Sequence, residues 1–186
     1  MSHAIDIDGT SEKLFLLQHL AFGSEAYCRS EGVLSTEHSG YAEFQSPWGW
    51  TKAVVSNYLI ECAVKLRMIQ EYCAKRRDSG ELAELDKAAT LSLHIGQVHE
   101  GGFHLTFRES CNKIVHATNA RMEFTAPDSS SDGLHCWDGQ MHLVGDQHGK
   151  PWSLQLSVAH WAKASLRYLD SAEEQGLLDE LGQDWS

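Results

Sequence analysis

The chain has few residues that would interrupt helices and none of the segments that direct a protein to a membrane. Its three prolines, Pro47, Pro127 and Pro151, leave long stretches in which helices can continue unbroken. No run approaches the roughly 18 apolar residues of a membrane span, and the polar start has no basic segment followed by an apolar run. Hydrophobic residues make up 42% of the 186 residues and charged residues 22%, as in ordinary globular domains. These features predict a cytoplasmic protein of a single domain, 1–186, with no membrane partner.

Paired cysteines and the common cofactor motifs are also missing. The five cysteines include no CxxC pair, and their odd number and wide spacing argue against a disulfide framework. We expect Cys62, Cys73 and Cys111 to be small core residues, since each falls on the apolar face of a predicted helix. No GxxxxGK[ST], GxGxxG, GxSxG or HExxH motif occurs, so no motif indicates an NTPase, a dinucleotide enzyme, a serine hydrolase or a zinc protease.

Histidines are plentiful, at eleven, but they are not arranged like metal ligands. His94, His99 and His104 are five residues apart, which places them about 140° apart per step on a helix and off any single face. The sequence therefore predicts no metal site and no cofactor.

Positive charge is scarce. The formal net charge is −11, and residues 170–186 contain six acids and no Lys or Arg. Without this predicted acidic C-terminal tail the charge is still −5. The balance excludes a general nucleic-acid-binding protein, because non-specific binding depends on Lys and Arg that neutralise phosphates.

Apolar spacing predicts most of the chain to be helical. In the longest segment, apolar residues step by three and four positions, as on one buried stripe: Val55, Leu59, Cys62, Leu66, Ile69 and Cys73. Similar patterns predict helices over residues 11–29, 51–77, 81–92, 103–117 and 158–171. Residues 94–102 are predicted to be a turn region.

A Ser-, Gly- and Glu-rich stretch, residues 32–49, is predicted to be a loop. We expect Trp48 and Trp50 to anchor it on the helices; the alternative is a surface on which a base stacks.

Alternating polar and apolar residues appear only in the second half, at residues 121–125, 136–144 and 152–156. The last two runs flank the Gly-containing sequence GDQHGKP, which predicts a β-hairpin near residues 136–157. The expected fold is therefore mainly α: an antiparallel helical bundle with one small β-hairpin.

The stretch FRESCNKIVHA, residues 107–117, carries the residues most suited to chemistry. Arg108, Asn112 and His116 follow at four-residue steps and so share one helix face. An Arg can bind phosphate oxygens, a His can transfer a proton, and an amide can orient either group.

Residues 111–117, CNKIVHA, resemble the motif of the HEPN superfamily, in which an Arg, often followed by Asn, precedes a His by about four to six residues near a helix end. Asn112 and His116 match that motif, whereas Cys111 occupies the Arg position. Arg108 is one turn earlier, with seven residues between it and His116, and Lys113 is the other substitute. The helix containing YLIECAVKLRMI is similar to the partner helix of that superfamily, so the resemblance covers about residues 50–118.

This resemblance implies a HEPN-like bundle and a metal-independent RNA endonuclease of a prokaryotic defence or toxin–antitoxin system. His116 would act as general acid or base for attack by the ribose 2′-OH, Arg108 would stabilise charge on the phosphate, and Asn112 would orient them. Lys113, Glu61 and Lys65 would bind substrate. It also implies a homodimer whose two sites face each other, with RNA as substrate and an antitoxin as protein partner.

The alternative is a non-catalytic binding or scaffold domain that has lost the phosphate-binding Arg. In that case Asn112 and His116 are structural, and Glu61 and Lys65 form an ordinary helical ion pair. A dry, salt-bridged Arg108 would favour this alternative.

Overall fold

A four-stranded antiparallel sheet packs against five helices in the part of the chain that the structure describes. The computed structural model describes residues 5–31, 41–125 and 136–179. The helices are α1 (Ile7–Glu31), α2 (Tyr41–Ala74), α3 (Ser79–Thr90), α4 (Phe107–His116) and α5 (Val158–Glu174). The strands are β1 (Gly96–Glu100), β2 (Asn119–Thr125), β3 (Cys136–Gln147) and β4 (Lys150–Ser157).

The prediction of a mainly α antiparallel bundle of HEPN-like type is therefore wrong. The four strands form one sheet in the order β1-β4-β3-β2, so the predicted hairpin is the centre of a larger sheet. β1 lies within residues 94–102, which were predicted to be a turn. Gly96 and Val98 pair with Leu156 and Leu154 of the distant β4, and this pairing, which no local pattern indicates, makes the segment a strand.

The β3–β4 hairpin near residues 136–157 is confirmed, and its strands continue closer to the turn than the predicted runs 136–144 and 152–156. Its turn consists of His148 and Gly149, whose φ angles are 56° and 77°. A two-residue hairpin turn of the I′ type requires positive φ at both central residues. The carboxylate of Asp146 accepts a hydrogen bond from the Gly149 N–H at 2.7 Å.

Helix boundaries also differ from the predictions: α1 extends beyond residues 11–29 at both ends, and α4 begins at Phe107 rather than at residue 103. α2 begins at Tyr41, so the second half of the predicted 32–49 loop is helical, and residues 32–40 lie outside the described residues. α5 continues to Glu174 and Leu177 is buried, so the predicted tail begins as packed structure; residues 180–186 lie outside the described residues.

One hydrophobic core joins residues from all five helices and from β2, β3 and β4. α1 packs against α5, β3 and α2, whereas α4 packs mainly against α2. Cys62, Cys73 and Cys111 are completely buried, which confirms them as core residues. Burial raises the pKa of the Cys62 and Cys111 thiols to about 12, so neither is a thiolate nucleophile at neutral pH.

Candidate functional site

Hydrogen bonds from two other segments determine where α4 begins. The hydroxyl of Thr106 accepts from the Glu109 N–H at 3.1 Å, the usual role of an N-cap residue. Asp86 of α3 accepts from the N–H groups of Phe107 and Arg108 at 3.1 and 2.6 Å. These side chains satisfy three of the N–H groups that a helix start leaves without partners.

Arg108, the predicted phosphate-binding residue, is in an ion pair. Its Nη2 lies 2.5 Å from Oε1 of Glu71 on α2, and the same oxygen lies 2.6 Å from Nη2 of Arg67. The Arg108 side chain is 40% exposed, so it is salt-bridged but not dry. An incoming phosphate would have to compete with the Glu71 carboxylate.

Asn112 and His116 do not converge with Arg108 on one point. The Asn112 amide donates to Oε2 of Glu109 at 3.0 Å, and His116 is the exposed last residue of α4. Arg108 and His116 are eight residues apart, or about 12 Å along the helix axis. The Arg108 guanidinium contacts Glu71 on α2, and no described hydrogen bond or ion pair joins it to Asn112 or His116. Within one chain, the predicted row does not surround a single phosphodiester.

Glu61 and Lys65 belong to a different cluster. Oε1 of Glu61 lies 2.6 Å from Nζ of Lys13 on α1 and 2.8 Å from Nζ of Lys65. Hydrogen bonds from Lys13 and then Lys65 lower the pKa of the Glu61 carboxyl. The helical ion pair between Glu61 and Lys65 is therefore present, and no described hydrogen bond or ion pair links this cluster to α4.

Lys113 is buried. Its side chain is only 4% exposed, and Nζ lies 3.2 Å from Oε1 of Glu109 and 2.8 Å from Oε1 of Gln147 on β3. The ammonium also lies 4.1 Å from the centre of the Phe103 ring and 4.7 Å from that of Trp152. Cation–π contacts of this kind are favourable when the cation is removed from water. Lys113 thus points towards the β3–β4 hairpin rather than joining the row of Arg108, Asn112 and His116.

A cavity of about 610 Å³ adjoins Lys113. We call it the Lys113 cavity. It lies between the segment 101–106, the first turns of α4 and the turn of the β3–β4 hairpin. The polar side chains that line it include His104, Glu109, Lys113, Gln147, His148 and Lys150.

Gly145 allows the Trp152 ring to pack beside this cavity. A Cβ atom at residue 145 would lie 2.3 Å from Cζ2 of Trp152, and Trp152 is only 2% exposed. We expect Gly145→Ala to lower the free energy of unfolding by about 1–3 kcal/mol, the usual cost of overpacking a core. Urea denaturation measures the change. Gly102→Ala is the matched control, because its Cβ would meet no atom within 4 Å, and an equal loss in both variants would contradict the packing argument.

A second surface lies along α2, and we call it the α2 face. Ile60, Val64 and Met68 are 52%, 40% and 38% exposed and lie on one stripe, because residues four apart on a helix are neighbours. Two ion-pair clusters flank the stripe: Lys13, Glu61 and Lys65 beside α1, and Arg67, Glu71 and Arg108 beside α4. Each cluster has two cations around one carboxylate.

Trp50 does not anchor a loop. It lies on α2 and is 70% exposed, so the anchoring prediction is wrong for this residue; the side chain of Trp48 lies outside the described residues.

Sequence reasoning missed the groups that hold the predicted residues in place. Glu109 could have been found, because Thr106-Phe107-Arg108-Glu109 fits the T-x-x-E pattern of a helix start. Glu71 and Gln147 could not, since they are 37 and 34 residues from Arg108 and Lys113.

Among residues 5–31, 41–125 and 136–179, no cluster of three or more His, Cys, Asp or Glu side chains is placed to bind a metal ion. None of the described helices is both long and apolar enough to span a bilayer. Comparison of the chain with protein-family models, with curated proteins and with solved structures finds no match.

Proposed function

We propose that the protein is a non-catalytic binding domain that holds an acidic amphipathic segment of a partner protein on the α2 face. The observation that carries this proposal is the ion pair between Arg108 and Glu71. The guanidinium that a ribonuclease would use to bind phosphate is instead part of the rim of an exposed apolar stripe.

The composition of the α2 face favours a protein segment over RNA. Ile60, Val64 and Met68 are aliphatic or thioether side chains, which do not offer the flat rings on which bases stack. Contiguous exposed apolar surface with a polar rim is typical of protein interaction sites.

The charged rim indicates the sign of the partner. Each flanking cluster has one more cation than carboxylate. A helix with an apolar stripe and acidic residues on both sides would place its carboxylates beside both clusters, as in other complexes that seat a helix on an apolar groove. An antitoxin with such a segment would fit, and so would any other partner with this pattern.

The ribonuclease remains the competing proposal, and it would require two chains. His116 of one chain would have to meet Arg108 of a second chain across a dimer, because the two residues lie about 12 Å apart along one helix. Arg108 and Asn112 would also have to leave the carboxylates of Glu71 and Glu109. The exposed position of His116 is what supports this candidate.

Two measurements distinguish the proposals. The first is cleavage of labelled single-stranded RNA in EDTA by the wild type and by His116→Ala. We expect no cleavage by either protein. Cleavage by the wild type that disappears in His116→Ala would overturn the proposal in favour of a metal-independent nuclease.

The second measurement is titration calorimetry with a synthetic helical peptide that has leucines on one face and glutamates on both sides of them. We expect the wild type to bind this peptide and Val64→Glu to raise Kd at least about tenfold. The substitution removes one buried apolar contact and places a carboxylate beside the glutamates of the peptide, and together these changes weaken binding by more than about 1.4 kcal/mol. Leu91→Glu is the matched control, since Leu91 is 65% exposed and lies in the turn after α3. Equal affinities for both variants, or equal binding of a peptide with lysines in place of the glutamates, would contradict the proposal.

Sedimentation of the protein alone identifies a second copy as the occupant if Val64→Glu converts a dimer to a monomer.

A further inference from the structure

We infer that the Lys113 cavity binds a small organic anion in which a phosphate or carboxylate group is attached to a flat apolar ring. The Lys113 cavity lies between α4 and the β3–β4 hairpin. The α2 face lies on a different element, α2, and shares no lining residue with the cavity. The inference therefore does not depend on the proposed function, and each can fail without the other.

The charges that line the cavity favour an anion. Lys113 and Lys150 oppose the single carboxylate of Glu109, and His104 and His148 add imidazole groups that can donate hydrogen bonds. No ion pair joins Lys150 to a carboxylate among the described residues. A cavity with excess positive charge is unusual in a chain whose net charge is −11.

Lys113 is held ready for such a ligand. An ammonium group has three N–H donors; Gln147 accepts one at 2.8 Å, and Glu109 lies 3.2 Å away. In the described part of the chain no third oxygen accepts from Nζ. Because the side chain is 4% exposed, an interaction with an anion here is weakened less by water than one at the surface.

The apolar side of the cavity favours a ring. Phe103, Pro151 and Trp152 contribute its apolar lining, and Phe103 and Trp152 are already in edge-to-face contact, with ring centres 6.4 Å apart. The volume of about 610 Å³ lies within the range of about 300–1,000 Å³ that is usual for small-molecule sites.

The residue at the hairpin turn supports the same conclusion. His148 has a φ of 56°, a conformation that Asn, Asp and His adopt more often than other residues with a side chain. It also lines the cavity, where its imidazole can form a hydrogen bond with an anion.

Calorimetry with phenyl phosphate tests the inference. We expect saturable binding of phenyl phosphate or benzoate with Kd below about 1 mM, or about −4 kcal/mol, and the stronger of the two identifies the anionic group. Inorganic phosphate and phenol should each bind at least about tenfold more weakly, because each lacks one half of the ligand. No saturable binding of either aromatic anion, or phenol binding as tightly as phenyl phosphate, would overturn the inference.

Variants of exposed lining residues locate the site without disturbing the core. Lys150→Ala should raise Kd about tenfold, the usual effect of losing one charged hydrogen bond. His148→Asn should also raise Kd while keeping the turn, since Asn tolerates positive φ. Lys87→Ala is the matched control, because Lys87 is 75% exposed on α3 and outside the cavity lining. Equal Kd values for Lys150→Ala and Lys87→Ala would place the ligand elsewhere and overturn the inference.

Discussion

Replacing Trp161 with alanine is expected to lower the free energy of unfolding by about 3–5 kcal/mol, the typical cost of removing a large buried aromatic side chain. Trp161 of α5 is completely buried. Its indole N–H donates to the Ser110 hydroxyl on α4 at 3.0 Å, and that hydroxyl donates to the Phe107 carbonyl at 2.6 Å. The substitution removes both the packing and the hydrogen bond that join α4 to α5.

Urea denaturation measures this loss, and two variants separate its causes. Trp161→Phe keeps most of the ring volume but loses the hydrogen bond, so we expect a smaller decrease of about 1–3 kcal/mol. Trp50→Ala should change stability by less than about 0.5 kcal/mol, because Trp50 is 70% exposed. If Trp161→Ala were no more destabilising than Trp50→Ala, α4 would not depend on this contact.

The helices of the core were the features that the sequence predicted best. Trp161 lies in the helix predicted for residues 158–171, and Val55 to Cys73 form the predicted buried stripe of α2. Such patterns are local, since each apolar residue repeats within three or four positions. β1 could not be predicted in the same way, because its pairing with β4 joins Gly96 to Leu156 across 60 residues.

The same distinction explains the candidate site. The row of Arg108, Asn112 and His116 and the pair of Glu61 and Lys65 were recognisable, because helical spacing alone places such residues together. The direction in which the Lys113 side chain points could not be predicted from helical spacing. A lysine is almost never buried without a partner, and the groups that bury this one come from the segment before α4 and from the hairpin: Phe103, Gln147 and Trp152.

The start of α4 should be nearly as sensitive as its contact with Trp161. We expect Asp86→Ala to lower the free energy of unfolding by about 2–6 kcal/mol, since two N–H groups would lose their acceptor at about 1–3 kcal/mol each. These are the N–H groups of Phe107 and Arg108, at 3.1 and 2.6 Å from the Asp86 carboxylate. Urea denaturation at neutral pH measures this decrease. Asp86→Asn keeps one side-chain oxygen as acceptor, so its free energy of unfolding should decrease by about half as much.

The stability contribution of Asp86 should also depend on pH, because Asp86 is partly withdrawn from water. Desolvation raises its pKa above the ordinary value of 3.8, although hydrogen bonds from the Arg108 N–H and the Thr106 hydroxyl act in the opposite direction. A carboxyl whose pKa is higher in the folded state takes up protons on folding, so its contribution to stability is complete below pH 3.8 and decreases as pH rises through the folded pKa. The stability of the wild type relative to Asp86→Asn should therefore decrease as pH rises from about 3 to 7. An increase over that range would mean that the hydrogen bonds at the start of α4 outweigh desolvation, and that the charged carboxylate itself holds α4 in place.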